Sequence, residues 1–212
     1  MRDVTMFEAL RNMKSAESNF KDISKIKGWI TFVDSYLKIS DQGINYYLQI
    51  KQKSDNDKYI LIPIIYNLKH SLELILKTLE KLQSNNGNSC VTKSHNLHAI
   101  LKNLSKKDPE IKDICEKLEG IIWQYYSLKI LPFFYNQQGV PPISFEDRAN
   151  TFFKYPELET EKDNERDFSV FIDFDFIMHN IDDNTFLNIQ ADLNEIRRIF
   201  GDVLNQISKT RR

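Results

Sequence analysis

One predicted helix carries a row of residue types that can do acid–base chemistry. Tyr66, His70, Glu73 and Lys77 are spaced four, three and four residues apart, which places them along one side of a helix. A histidine gains or loses a proton near neutral pH, and a neighbouring carboxylate or ammonium group influences that charge. We call His70, Glu73 and Lys77 the polar stripe. The alternative is a solvated polar face on which Glu73 and Lys77 form an ordinary ion pair.

Two more polar residues follow the next loop. His95 and Asn96 open a short predicted helix after the polar run 84–89. A short loop makes consecutive helices antiparallel neighbours, so this end of the second helix lies beside the C-terminal half of the first. We therefore expect His95 and Asn96 to share one cleft with the polar stripe, with Lys77 and Asn96 as the nearer neighbours.

Two weaker patterns allow other chemistry. His95 and His98 have the spacing of a metal-binding pair, but the sequence offers no clear third ligand, so we predict no metal and no cofactor. Trp123, Tyr125 and Tyr126 form an aromatic cluster on a later helix. Core packing is the expectation for that cluster, and base stacking on RNA is the alternative.

The elements that position these residues are predicted to be mostly helical. Six glycines and six prolines in 212 residues are too few for the turns of an all-β chain. Gly28 is expected to separate the first two helices and Gly43 to interrupt or kink the second, because glycine is unfavourable inside a helix. Pro63 limits the third to a start near Ile62. Apolar residues recurring every three or four positions predict helices over 3–26, 29–53, 57–83, 95–105, 109–131 and 184–209.

The region 132–182 has a different pattern and is predicted to be an insertion in a single domain spanning 1–212. Apolar and polar side chains alternate over 168–177, which predicts a strand, and 151–155 is its expected partner. The predicted fold class is mainly α: an antiparallel helical bundle with a small β-hairpin insertion near 151–177.

Composition narrows the class of protein. The 29 basic and 30 acidic residues give a net charge of −1, so bulk charge does not favour a nucleic-acid or membrane partner, although a local patch remains open. Cys90 and Cys115 are too few for a disulfide framework, and two reduced thiols predict a cytoplasmic protein. The N-terminus has no apolar core of signal-peptide length, and no apolar run approaches the ~20 residues of a membrane span.

Two segments together resemble a known family. The run Tyr66-Asn-Leu-Lys-His-Ser-Leu-Glu-Leu-Ile-Leu-Lys77 is followed by a loop and then by Ser94-His95-Asn96-Leu97. This order is similar to HEPN-like proteins (higher eukaryotes and prokaryotes nucleotide-binding), in which a helix bearing His, Glu and Lys precedes a helix opening with His-Asp/Asn-Leu. The segment 148–156 also resembles an aromatic-Arg-Tyr-Pro segment of some bacterial members, with lysine in place of that arginine. The resemblance covers about 58–156.

The resemblance implies an all-α, usually dimeric bundle. Active members are metal-independent ribonucleases, often toxins or phage-defence effectors, with a signature of Arg, four to six residues, then His. No arginine of this chain has that spacing to a histidine, and the nearest variant is Lys93 with His98. The resemblance implies catalytic roles for His70, Glu73 and Lys77, and substrate-binding roles for His95, Asn96, Arg148, Lys154 and Tyr155.

We therefore expect a HEPN-like module of a bacterial defence or toxin system, non-catalytic or divergent. It would act as a homodimer that binds a protein partner, RNA or a nucleotide, and not a membrane. One alternative is a metal-independent endoribonuclease with a divergent His/Glu/Lys site. The other is a helical scaffold protein unrelated to RNA.

Overall fold

The computed structural model describes residues 22–83, 95–106, 109–130, 143–146, 157–159, 169–171 and 174–209, and the protein is mainly α-helical. Within these ranges the helices are α1 (Asp22–Gln49), α2 (Leu61–Gln83), α3 (Leu97–Ser105), α4 (Pro109–Tyr126), α5 (Phe174–His179) and α6 (Asp183–Lys209), and a 3-10 helix (Asp55–Ile60) precedes α2. The strands of the same ranges form two antiparallel pairs, β1 (Ser127–Ile130) with β2 (Ile143–Glu146) and β3 (Glu157–Glu159) with β4 (Ser169–Phe171).

Helix α2 lies at the centre of the packing. Several of its apolar side chains, among them Leu68, Leu72 and Ile75, have no exposed surface. Pro63 falls in its first turn, where a missing backbone N–H costs nothing, so the predicted start near Ile62 is confirmed. Because other helices cover α2 on several sides, some of its polar residues are also buried in the fold.

Helix α1 packs antiparallel to α2 and runs through both glycines, so the predicted breaks at Gly28 and Gly43 are wrong. The hydroxyl of Ser40 donates to the carbonyl of Ile64 at 3.0 Å, and the ring of Tyr36 meets that of His70 further along α2. A Cβ on Gly43 would lie 2.7 Å from Cγ1 of Ile64. Gly43 therefore allows two helices to approach closely, a reason that its helix propensity does not reveal.

Helix α6 packs against α1, and these two helices are also antiparallel. The ring of Tyr47 stacks on that of Phe186 with centroids 3.6 Å apart, and Nη2 of Arg197 lies 3.3 Å from Oδ2 of Asp41. These two contacts place α6 against the C-terminal part of α1. The predicted helix 184–209 is confirmed, and it buries Leu193, Ile196 and other apolar residues in the same core as α1–α4.

The middle of the chain differs from its prediction in several places. The predicted strand 168–177 is confirmed over Ser169–Phe171 and wrong over 174–177, because Phe174–His179 is the helix α5. Met178 is fully buried and Ile177 packs on the core. The helical conformation is favoured because it buries these side chains, although the short alternating pattern of the sequence predicts a strand. Helix α4 ends at Tyr126, where the unpredicted strand β1 begins. The predicted partner strand 151–155 lies outside the described residues, as does most of the predicted helix 3–26.

The stretch Asp55–Lys81 is long and apolar enough to cross a membrane by length and composition alone, with a mean hydropathy of 1.2 over its best window. A buried core helix of a folded domain passes the same criterion. Its apolar residues form the centre of the core here, which accounts for their hydropathy.

Candidate functional site

Glu73 lies on the inner side of α2 and is only 3% exposed. Lys77, one turn later, is also buried. The buried hydroxyls of Ser71 and Thr78 donate hydrogen bonds to backbone carbonyls of their own helix. A solvated polar face does not describe Glu73 and Lys77. Burying a carboxylate is costly unless charged or hydrogen-bonding groups surround it, so its partners define the site.

Three side chains converge on this carboxylate. Nζ of Lys77 donates to Oε1 of Glu73 at 2.5 Å, and Nδ1 of His95 lies 2.9 Å from the same oxygen. Nδ1 of His70 lies 3.8 Å from the other oxygen, Oε2. The structure thus brings together four of the five residues expected to share a cleft, and we call His70, Glu73, Lys77 and His95 the Glu73 cluster.

The surroundings of Glu73 keep it ionised. Burial alone would raise its pKa, but the nearby ring of His70, the hydrogen bond from Lys77 and the charges of Lys77 and His95 outweigh that effect and lower the pKa to about 2. An ionised carboxylate only accepts hydrogen bonds, so Nδ1 of His95 must be the donor. In the neutral ring of His95 the other nitrogen, Nε2, is then free of a proton and able to accept one.

The members of the cluster differ in their access to solvent. Lys77 is largely buried against Glu73, and this position suits a group that holds the carboxylate rather than one that reaches a phosphate. The side chain of His95 is 59% exposed, and that of His70 is 28% exposed. The arrangement is a buried, charge-balanced carboxylate that fixes two histidines whose rings reach the surface.

The remaining predicted site residues have other positions. Asn96 is the N-cap of α3, where its side-chain oxygen accepts a hydrogen bond from the backbone N–H of Ala99 at 3.1 Å. Arg148, Lys154 and Tyr155 lie outside the described residues.

We compared the chain with family models, with curated protein sequences and with solved structures, and none of them matched. The HEPN-like resemblance therefore rests on the sequence motifs alone. The function has to be argued from the geometry of the site.

Sequence reasoning missed an aromatic cavity next to the cluster. It has a volume of about 570 Å³ between α1 and α2. The sequence of α1 does indicate a second contact surface, because its apolar residues form two stripes at three- and four-residue spacing. A helix that only packs on a core needs one such stripe. The cavity is lined by Gly28, Trp29, Phe32, Tyr36, His70, Leu74 and Lys81.

His95 and His98 point to different neighbours, which disfavours a shared metal ion. His95 contacts Glu73 of α2, whereas the ring of His98 lies 4.1 Å from that of Trp123 on α4. In the part of the chain that the structure describes, no group of three potential ligands is placed to hold a metal. Tyr125 and Tyr126 are buried, as core packing requires, and Trp123 is half-exposed.

Proposed function

We propose that the protein is a metal-independent endoribonuclease of HEPN-like type, with the Glu73 cluster as its acid–base site. The observation that carries the proposal is the bond between the buried, ionised Glu73 and the exposed His95. A carboxylate that orients a histidine through Nδ1 leaves Nε2 to exchange protons with a substrate, as in known acid–base catalysis. This geometry favours the ribonuclease over the non-catalytic module.

The chemistry that suits two histidines without a metal is transesterification of RNA. His95 Nε2 takes the proton from the ribose 2′-hydroxyl as its oxygen forms a bond to phosphorus. The bond from phosphorus to the 5′-oxygen of the next nucleotide breaks, and protonated His70 gives that oxygen a proton. The products are a 2′,3′-cyclic phosphate and a free 5′-hydroxyl, and no oxidant, metal or cofactor is required.

Lys77 and Glu73 have supporting roles in this scheme. Lys77 offsets the charge of the buried carboxylate, which in turn holds His95 in one tautomer and orientation. The transition state also needs positive charge near the phosphate. We assign that role to Arg148 and Lys154, as the family resemblance implies.

The test is incubation of the purified protein with total RNA and tRNA in EDTA. The wild-type protein should cleave RNA, and His95→Ala should lower the rate about 100-fold or more, the usual range for a general base. His98→Ala is the matched control, because it removes a histidine three residues further along the chain that faces Trp123 instead. Intact RNA with the wild-type protein, or equal losses in the two variants, would overturn the proposal.

A second candidate function is a non-catalytic module that acts through homodimerisation. Phe32, Ile39 and Tyr46 lie seven residues apart on α1 and are 60%, 50% and 60% exposed. We call them the exposed stripe. A seven-residue repeat of exposed apolar side chains is typical of helices that pair with another helix.

The flanks of the exposed stripe suit a second copy of the same chain. Ser35 and Gln42 beside it are uncharged, and Lys38 is neutralised by Asp34 at 2.7 Å. A surface that meets its own copy must not carry net charge of one sign, and interface cores are poor in charged residues. Sedimentation should give a dimer that Ile39→Asp dissociates, while Leu187→Asp, a change at a similarly exposed leucine of α6, leaves it intact. A wild-type monomer at micromolar concentration would contradict this candidate.

The wider setting follows the family resemblance. We infer that the helices form one antiparallel bundle in a single domain, and that the region 132–182 is an insertion that includes the β3–β4 pair. The module serves a bacterial defence or toxin system in the cytoplasm. If neither RNA cleavage nor dimerisation is found, the remaining alternative is a helical scaffold unrelated to RNA.

A further inference from the structure

The aromatic cavity and the Glu73 cluster share one residue. His70 lines the cavity and also approaches Oε2 of Glu73. On the cavity side, the rings of Tyr36 and His70 meet in a T-shaped contact, with centroids 4.6 Å apart and an angle of 81° between their planes. A ligand in the cavity therefore lies next to the proposed acid–base site, against a histidine whose ring is packed in place.

The walls of the cavity suit a flat, unsaturated group. Trp29, Phe32 and Tyr36 follow one another at three- and four-residue spacing on α1, so their rings line one side. Small-molecule sites of about 300–1,000 Å³ are typically apolar with a few polar groups, and this cavity of about 570 Å³ has His70 and Lys81 among its polar residues.

We propose that the cavity holds one unpaired nucleobase of single-stranded RNA, next to the phosphate that the Glu73 cluster attacks. The inference rests on the proposed function and names its substrate class. Aromatic side chains stack on any base, and sequence-tolerant binding of single strands commonly combines such stacking with nearby positive charge.

Positive charge lies at the far end of the cavity. Lys81 is eleven residues beyond His70 on α2, or about 16 Å at 1.5 Å per residue. That distance exceeds the length of one base, so Lys81 meets a phosphate on the opposite side of the bound base from His70. A base within a duplex cannot enter without unpairing, so the site selects single strands or loops.

The two tryptophans allow a direct binding test. Trp29 lines the cavity, whereas Trp123 lies on α4 beside His98, so Trp123→Phe leaves Trp29 as the only indole. The fluorescence of this protein is titrated in EDTA with a short single-stranded 2′-O-methyl oligoribonucleotide. The methyl group blocks the attacking hydroxyl, so binding is measured without cleavage. We expect saturable quenching by the single strand and little by the matching duplex.

A pair of variants distinguishes binding in the cavity from binding elsewhere on the surface of α1. Phe32 and Tyr46 are both 60% exposed, but only Phe32 lines the cavity. In the Trp123→Phe background, Phe32→Ala should weaken binding about 10-fold, within the range reported for loss of one stacked base, and Tyr46→Ala should not. Circular dichroism of each variant checks that the helices are intact.

The outcomes distinguish this inference from the proposed function. No quenching, equal quenching by duplex, or equal effects of Phe32→Ala and Tyr46→Ala would overturn the base-binding cavity. Cleavage of RNA that depends on His95 would then still support the ribonuclease. Conversely, quenching that depends on Phe32 in a protein that cleaves no RNA would support the cavity and overturn the ribonuclease.

Discussion

Nδ1 of His95 lies 2.9 Å from Oε1 of Glu73. His95 precedes the N-cap of α3, so this contact connects the start of α3 to the buried side of α2. The two residues are 22 positions apart in the chain. A single carboxylate thereby sets the tautomer of an exposed histidine and stays ionised through its bond to Lys77. The stability of the fold and the proposed chemistry both depend on this carboxylate.

Glu73→Gln should destabilise the protein at neutral pH. The surroundings of Glu73 lower its pKa from an ordinary value of 4.5 to about 2 in the folded protein, so the ionised group contributes roughly 3 kcal/mol above pH 4.5. That contribution is lost as the pH falls from 4.5 through 2. The difference in unfolding free energy between wild-type and variant, measured with urea at pH 7, 4 and 3, should therefore shrink with acidity.

Glu116→Gln is the matched control for this series. Glu116 is exposed on α4 and lies 3.5 Å from Lys112. Exposed pairs of this kind contribute at most about 1 kcal/mol, so this variant should unfold close to the wild-type. A pH-independent difference for Glu73→Gln would show that the carboxylate is not held ionised by its partners.

Gly43→Ala and Gly28→Ala should have opposite effects on stability. A methyl group at Gly43 would meet Cγ1 of the buried Ile64 at 2.7 Å, and overpacking of this kind costs about 1–3 kcal/mol. Nothing lies within 4 Å of a Cβ at Gly28, so the substitution there should add up to about 1 kcal/mol through helix propensity. Thermal unfolding followed by circular dichroism measures both, and stabilisation by Gly43→Ala would contradict the close approach of α1 to α2.

The thiol of Cys115 should be inert in the folded protein. Burial, together with the nearby Glu119 and Glu116, raises its pKa to about 12, so very little thiolate forms at pH 8. Iodoacetamide should leave the Cys115 peptide unmodified in buffer and alkylate it in guanidinium chloride, as read by mass spectrometry. Labelling of Cys115 at the same rate in both conditions would show that α4 does not pack as described.

The sequence predicts the long helices well because each has a continuous apolar stripe. It predicts the breaks in α1 wrongly, because the role of Gly43 depends on a neighbour, Ile64, that is distant in the chain. The end of the predicted strand 168–177 is wrong for a similar reason. A window of a few residues fits both the two-residue period of a strand and the 3.6-residue period of a helix, and burial of Met178 in the fold favours the helix.

The site was predictable in part. Helical spacing places His70, Glu73 and Lys77 together, and the expectation that consecutive helices lie side by side places His95 near them. Spacing did not predict that Glu73 would be the centre of the site, because the relevant property is its burial under other helices. The cavity was missed because Trp29 and Tyr36 on α1 fit the pattern of core residues as well as that of a binding wall.

The central claim is that Glu73 acts on RNA through His95, and a double-variant cleavage assay tests it most directly. Single-turnover rates in EDTA are measured for the wild-type, Glu73→Gln, His95→Ala and the protein with both changes. Residues that act as one unit show non-additive losses. We predict a fall of at least about 10-fold for Glu73→Gln alone and no further fall when it is added to His95→Ala. Losses that multiply, or a Glu73→Gln protein as fast as the wild-type, would contradict the account.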